Sequence, residues 1–252
     1  MNSDFDTVLH KFIHEFYGYG NYHGKIWFIG MEEGGGNTKE EIMARINAWT
    51  KHCSELVDVA SYHQAIGIDK FFAAPPVLQT TWSKLIRIAL CFQNIAPSID
   101  RIRQYQATRL GRWNDDTCLL ELLPLPSPST SKWHYNSIST LPYLSSRKNY
   151  SEEILAFRIK SIQQKIIQYS PNVVIFYSKK YAKYWEEIAD VPFMEAADNI
   201  STGHNGTTTF AIVTHPATRG VTNEYFCMAG NVIRTFHREK MRINAARLRR
   251  NA

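Results

Sequence analysis

The chain has 252 residues, of which 44% are hydrophobic, and a formal net charge of +6. This length and apolar content suit one domain, residues 1–252, that buries a core without disulfides or metals. No apolar run is long enough to span a membrane, and the helical pattern of residues 1–17 is unlike a signal peptide. We therefore expect a cytoplasmic monomer with no membrane contact.

The four cysteines are widely spaced, at Cys53, Cys91, Cys118 and Cys227, and none belongs to a Cys-x-x-Cys pair. A zinc ribbon or a local redox motif needs closer spacing. We expect reduced, mostly buried thiols, with no bound metal and no cofactor.

Four short runs rich in apolar, β-branched and aromatic residues predict buried parallel strands at residues 26–29, 118–123, 173–177 and 208–214. Amphipathic helical patterns cover residues 40–53, 81–92, 99–110, 151–169 and 179–189. Asn205-Gly206 indicates a tight turn, and therefore a hairpin, before the last strand. Together these elements predict an α/β fold, a three-layer α/β/α sandwich around a central, mostly parallel four-stranded sheet.

The positive charge is concentrated at the end of the sequence. Residues 231–252 contain seven cations against Glu239 alone, which accounts for the whole imbalance. We expect a basic helix there. Such a helix suits a phosphate backbone, although cations near a helix C-terminus also favour its own dipole in a solvated helix.

The first predicted strand ends in an unusual sequence, Gly30-Met31-Glu32-Glu33 followed by Gly34, Gly35 and Gly36. Parallel sheets bind ligands at the carboxyl ends of their strands. Three interpretations remain open: a phosphate cradle, a plain turn with solvated acids, and a catalytic carboxylate. We prefer the third, because two adjacent acids repel phosphate and no phosphate-binding glycine motif is present.

The last predicted strand ends in Thr214-His215-Pro216, followed by a loop through Gly220. If the sheet is parallel, His215 lies on the same edge as Glu32. A histidine at this place is either structural or a group that acts on a bound ligand, and we favour the second interpretation.

These two strand ends resemble the signature motifs of the uracil-DNA glycosylase superfamily, in the style of its mismatch-type and single-strand-selective branches. In that family a motif that begins with Gly carries a polar residue that positions or activates the attacking water. Gly30 matches the leading glycine and Glu32 the polar position, while Glu33 replaces the usual proline. The resemblance implies catalytic roles for Glu32, Glu33 and His215, with Gly30 and Met31 beside the substrate. The clustered cysteines of the iron–sulfur members are missing, so we expect no such cluster.

Two further positions, Phe72 and Glu121, follow from the resemblance. Phe72 matches an aromatic residue that stacks on the extruded base, although a Phe-Phe pair beside a helix also suits a core. Glu121 occupies the place of the asparagine that reads the edge of uracil. An ionised Glu121 only accepts hydrogen bonds and favours a cytosine-like amine, whereas a protonated Glu121 reads either base. The alternative is a solvated acid on an edge strand.

The loop after His215 corresponds to the family's DNA-penetrating loop. Arg219 stands where a leucine wedge is common. Ala217 lacks the serine hydroxyl that commonly contacts phosphate, and Thr218 would supply a hydroxyl in its place. The neutral imidazole of His215 would stabilise the departing base.

We therefore expect a monofunctional DNA glycosylase that flips out uracil or a modified cytosine-like base, hydrolyses its N-glycosidic bond and leaves an abasic site. No lysine is suitably placed for a Schiff base in this interpretation. Two other classes remain open: a non-catalytic DNA-binding module on the same fold, and a hydrolase of small nucleotides.

Overall fold

The computed structural model describes residues 3–129 and 131–250. Within them the helices are α1 (Ser3–Glu15), α2 (Lys39–Thr50), α3 (Val59–Ala65), α4 (Thr80–Phe92), α5 (Ile99–Thr108), α6 (Arg147–Tyr169), α7 (Ala182–Ala189) and α8 (Asn223–Arg250). The strands are β1 (Gly18–Gly20), β2 (Ile26–Gly30), β3 (Leu56–Val57), β4 (Thr117–Glu121), β5 (Val173–Tyr177), β6 (Met194–Ala197), β7 (Ile200–His204) and β8 (Thr209–Val213).

All eight of these strands form one mixed sheet in the order β3-β1-β4-β2-β5-β8-β7-β6. The α/β class is confirmed, but the predicted four-stranded sheet is wrong. The four predicted strands are the contiguous parallel centre, β4-β2-β5-β8. On one side β1 pairs antiparallel with β4, and β3 pairs parallel with β1. On the other side β7 pairs antiparallel with β8, and β6 pairs antiparallel with β7.

The four additional strands lack the pattern on which the prediction relied. β1 is Gly-Tyr-Gly, β3 has two residues, and β6 reads Met-Glu-Ala-Ala. Glycine, alanine and glutamate have low strand propensity, so pairing with a neighbour rather than local preference keeps these segments extended.

The predicted hairpin joins β7 to β8. Asn205 Oδ1 accepts from the amides of Thr207 and Thr208 at 3.1 and 2.8 Å, and Gly206 has φ +102°. A positive φ is easily adopted by glycine, so Asn-Gly fixes the turn here.

The helix predictions hold with shifted ends. α6 begins four residues early, where the hydroxyl of Ser146 accepts from the Asn149 amide at 3.1 Å, and it ends at Ser170 in the left-handed conformation. A 3₁₀ turn at Lys179–Tyr181 precedes α7 and replaces its predicted first residues. Short α3 was not predicted, because seven residues carry little helical periodicity.

Helices cover both faces of the sheet. One face packs against the α1, α2, α4, α5 and α8 layer, with Phe28 and Ile175 in its core. The other packs against α6 and α7, with Trp27 and Phe176 in its core. Alternate residues of β2 and β5 thus enter different cores, which explains why these strands are continuously apolar. Among the described residues, no helix is both long and apolar enough to cross a membrane.

The cysteines only partly follow the expectation. All four are free thiols, but while Cys91 and Cys118 are buried, Cys227 is half-buried and Cys53 is exposed.

A fully buried arginine fastens the end of β4. Arg158 donates to the carbonyl oxygens of Glu121, Leu122 and Phe16 at 2.8, 3.0 and 2.9 Å, and lies 3.8 Å from the ring centroid of Tyr17. Burial lowers the pKa of Arg158 from its ordinary value, opposed by the nearby tyrosines. Since these carbonyls lie away from water, the guanidinium satisfies them and ties α6 to α1 and β4.

We predict that Arg158→Met lowers the free energy of unfolding by about 3 kcal/mol, because it leaves three buried carbonyl groups without a donor. Lys160→Met, an exposed position on the same helix, is the matched control and is expected to change stability by less than about 0.5 kcal/mol. Urea denaturation of both variants measures the difference. Equal stability of the two would contradict this role for Arg158.

Candidate functional site

The carboxyl ends of β4, β2, β5 and β8 surround a cavity of about 790 Å³. The chain leaves β2 toward the α2 to α5 segment and leaves β5 toward α7, which lies on the other face of the sheet. Adjacent strands whose connections diverge in this way form a crevice that binds ligands in open α/β sheets. The cavity lies at this crevice.

Most of the sequence-predicted site residues line this cavity: Met31, Glu32, Glu33, Glu121, His215 and Thr218. Three do not. Gly30 is the buried last residue of β2, Phe72 packs against the core, and Arg219 is exposed on the loop after His215. The structure therefore brings together an acid pair from residues 32–33 and an imidazole more than 180 residues later.

Gly30 makes room for a hydrogen bond that crosses β2. Tyr177 on β5 donates from its hydroxyl to Glu121 Oε1 on β4 at 2.7 Å. A Cβ at Gly30 would overlap both the Tyr177 hydroxyl and Glu121 Oε2. The glycine is thus required by the close approach of two side chains over the strand end.

The Glu121 carboxyl is buried, and its Oε2 atom has no hydrogen-bond partner among the described residues. Burial raises the pKa of Glu121 to about 8, and the charges of Glu33 and Glu32 add to the rise while the Tyr177 hydrogen bond opposes it. A solvated acid on an edge strand is therefore a wrong interpretation, since β4 is paired on both sides. At neutral pH the group is mainly a carboxylic acid that can donate from Oε2.

Glu32 is held by a cation. Arg147 Nη1 donates to Glu32 Oε2 at 2.6 Å, and Arg147 Nη2 also donates to the hydroxyl of Ser127 and to the Ser129 carbonyl. Burial raises the pKa of Glu32, and Arg147 opposes the rise. The ion pair joins the first strand end to the serine loop at the cavity rim.

Glu33 has different partners. The Tyr19 hydroxyl donates to Glu33 Oε2 at 2.9 Å, and Arg45 Nη1 forms an ion pair with the same oxygen at 3.0 Å. Arg45 is 4% exposed and also pairs with Glu41 on its own helix. The Glu33 side chain is thus held by residues of α2 and β1. Its other carboxylate oxygen, Oε1, lies 3.8 Å from His63 Nε2.

His215 is a neutral imidazole of defined tautomer. The Ala217 amide donates to His215 Nδ1 at 3.0 Å, so the proton resides on Nε2. Burial lowers the pKa of His215, and the charge of Lys84 lowers it further. Lys84 also donates to the Pro216 carbonyl, which fixes the turn after the histidine. Among the described residues nothing accepts from His215 Nε2, so its hydrogen can donate to a ligand.

Aromatic rings form one wall of the cavity. Phe71 and Trp82 line it with ring centroids 5.5 Å apart. Phe72 lies behind, 5.9 Å from Trp82. Phe71 rather than Phe72 therefore lines the cavity, within a turn closed by hydrogen bonds from the Phe72 and Ala73 amides to the Asp69 carbonyl.

The basic tail lies far from this cavity. Tyr225 near the start of α8 accepts from the Thr214 amide, whereas Asn244 donates to the Gly206 carbonyl at the opposite end of β8. At 1.5 Å per residue these two contacts are about 30 Å apart along α8. The predicted helix is present but begins at Asn223, and residues 251–252 of the predicted range lie outside the described residues.

Four side chains of the site were not predicted: Arg45, His63, Arg147 and Tyr177. Each meets Glu32, Glu33 or Glu121 through the fold rather than through neighbouring sequence. Lys180 was also missed; it lines the cavity from the segment after β5 and is exposed. A lysine thus lines the cavity, while the expectation that none is placed to form a Schiff base stays a prediction.

Comparisons with protein-family models and with curated proteins find no match for this chain. Within residues 3–129 and 131–250, no three His, Cys, Asp or Glu side chains are grouped so that they could hold a metal ion.

We predict that Glu121 gives stability a distinctive pH dependence. Because its pKa is about 8 in the folded chain and near 4.5 when unfolded, the folded state retains the proton that the unfolded state loses between these values. The free energy of unfolding of the wild type, relative to that of Glu121→Gln, therefore falls between about pH 4.5 and 8. Above about pH 8 this difference no longer changes with pH. Denaturation of both proteins at several pH values measures this difference. A difference independent of pH would contradict it.

Proposed function

We propose that this protein is a monofunctional DNA glycosylase of the uracil-DNA glycosylase type. The observation that carries the proposal is the convergence of Glu32, Glu33, Glu121 and His215, from three parallel strand ends, on one cavity with an aromatic wall. The four central parallel strands with helices on both faces are consistent with that superfamily's sandwich. The additional strands lie outside this centre.

The cavity suits a single extruded nucleotide. Its volume lies within the range of about 300–1,000 Å³ that is usual for small-ligand sites, and Phe71 and Trp82 offer flat apolar surfaces. Stacking of a base on such a surface contributes about 1–3 kcal/mol. A neutral Glu121 donates from Oε2 to a carbonyl oxygen or ring nitrogen at the base edge, so it accommodates uracil or a cytosine-like base.

The arrangement supports hydrolysis through an oxocarbenium-like sugar. As the bond from C1′ to the base breaks, its electron pair leaves with the base, and His215 Nε2–H stabilises the negative charge. The acids at residues 32–33 stabilise the positive sugar, and one of them accepts a proton from the attacking water. The products are the free base and an abasic site.

The central test is release of a base. Duplex and single-stranded DNA containing uracil or modified cytosines is expected to yield a free base and an abasic site, with no strand break and no borohydride-trapped adduct to Lys180. Glu32→Gln is expected to slow turnover and keep DNA binding. A non-catalytic binder would bind these DNAs and release nothing, and a nucleotide hydrolase would act on free nucleosides. Either result would contradict the proposal.

We predict that His215→Ala lowers the single-turnover excision rate by at least about 100-fold, because the donor to the departing base is lost. His215→Gln retains a donor near the Nε2 position and is expected to lose less. Because His215 acts on the charge that develops on the departing base, the DNA affinity of both variants should stay within about threefold of the wild-type value. An Ala variant as fast as the wild type would remove His215 from the mechanism.

A further inference from the structure

The two adjacent acids of the candidate site are electrostatically different. Glu32 Oε2 is occupied by the guanidinium of Arg147 at 2.6 Å. Arg45 and the Tyr19 hydroxyl both contact Oε2 of Glu33, whereas the Oε1 atom faces His63. Among the described residues, no donor forms a hydrogen bond with Glu33 Oε1. This oxygen is therefore the one that can take up a proton donor from the cavity.

His63 presents an acceptor to that oxygen. Its Nδ1 lies 2.8 Å from the Val59 carbonyl, an acceptor, so Nδ1 carries the ring proton. Burial lowers the pKa of His63, although the charge of Glu33 opposes this, so the ring is neutral and Nε2 bears a lone pair. His63 and Glu33 both line the cavity.

The position of His63 is fixed by its helix. Asp58 caps α3 by accepting from the Ala60 and Ser61 amides, each at 3.1 Å, and Arg112 pairs with Asp58 at 2.7 Å. The imidazole is also packed edge to face against Trp82, with centroids 5.1 Å apart. The lone pair of Nε2 is therefore held in one direction.

Two acceptors thus face each other across 3.8 Å at the cavity wall. That separation is too long for a direct hydrogen bond, which needs about 2.7–3.2 Å, and two lone pairs repel each other. A molecule with two hydrogens on one atom joins such a pair, and water is the smallest. Its hydrogens would point at Glu33 and His63, which leaves an oxygen lone pair for the cavity.

We propose that Glu33 and His63, rather than Glu32, bind and activate the water that attacks the sugar. This inference rests on the proposed glycosylase function. In the step, the water oxygen forms a bond to C1′ while the C1′–N bond breaks and its electron pair leaves with the base. One water proton passes to Glu33 Oε1. Glu32, neutralised by Arg147, positions the serine loop.

A pair of histidine variants tests the role of Nε2. Asn at position 63 reproduces the Nδ1 donor to Val59 and removes the second nitrogen, whereas Gln places an amide oxygen near the Nε2 position. We expect His63→Asn to slow single-turnover excision by at least about 100-fold, as for loss of general base catalysis. His63→Gln should retain a rate within about tenfold of the wild type. His52→Asn, on an exposed histidine, is the control for the substitution itself.

A double variant separates a shared water from independent effects. Glu33→Gln is expected to be slow, and adding His63→Asn should slow it by less than about threefold more, because both act on one molecule. DNA affinity and the thermal midpoint of both His63 variants should match the wild type. Asn and Gln variants of equal rate, loss of DNA affinity in step with rate, or a Glu32→Gln variant slower than Glu33→Gln would overturn the assignment.

The tautomer gives a readout that does not depend on activity. Nitrogen NMR of the wild type at pH 7 should show His63 protonated on Nδ1 and unprotonated on Nε2, and Glu33→Gln should shift the Nε2 signal. A proton on Nε2 would overturn the inference even if no base is released. Conversely, absence of base release with the expected tautomer contradicts the proposed function alone, while an active wild type with an equally active His63→Asn contradicts only the role of the pair.

Discussion

Burial of a carboxyl group at the end of β4 is the constraint on which the centre of this molecule depends. Glu121 needs a donor on one oxygen, and Tyr177 supplies it from two strands away, which is possible only because Gly30 has no side chain. The backbone behind Glu121 is held by Arg158. The two neighbouring acids differ: Glu32 is paired with Arg147, whereas Glu33 Oε1 accepts no hydrogen bond from any residue that the structure describes. Three carboxyl groups therefore share one cavity in three different electrostatic environments.

The central fold could be predicted because its strands are short, continuous apolar runs that are buried on both faces. The outer strands could not, since β1 and β6 are made of residues that do not favour strands and become extended only by pairing with β4 and β7. Helix ends were displaced where side-chain caps, such as Ser146, extend a helix beyond its apolar stripe. Local pattern thus predicts the elements that bury most surface, and tertiary pairing decides the rest.

The candidate site was predictable where it coincides with strand ends. Glu32 and His215 follow directly on apolar runs, and a parallel sheet places such ends on one edge. Arg147 and Tyr177 gave no comparable signal, because they reach their carboxylates across 115 and 56 positions of sequence. His63 lies on a seven-residue helix without a recognisable motif. The resemblance selected Phe72, whereas the turn at residues 69–73 places its neighbour Phe71 on the cavity.

The bridge between Tyr177 and Glu121 also restricts how the sequence can diverge. Without the Tyr177 hydroxyl, the buried Glu121 carboxyl loses its donor, and without Glu121 the buried hydroxyl loses its acceptor. Any larger residue at position 30 displaces both side chains. Single replacements at these three positions are therefore each costly, whereas concerted ones can be tolerated. Chains that share this arrangement should keep or exchange the trio together, which offers a way to recognise distant relatives by covariation when overall identity has faded.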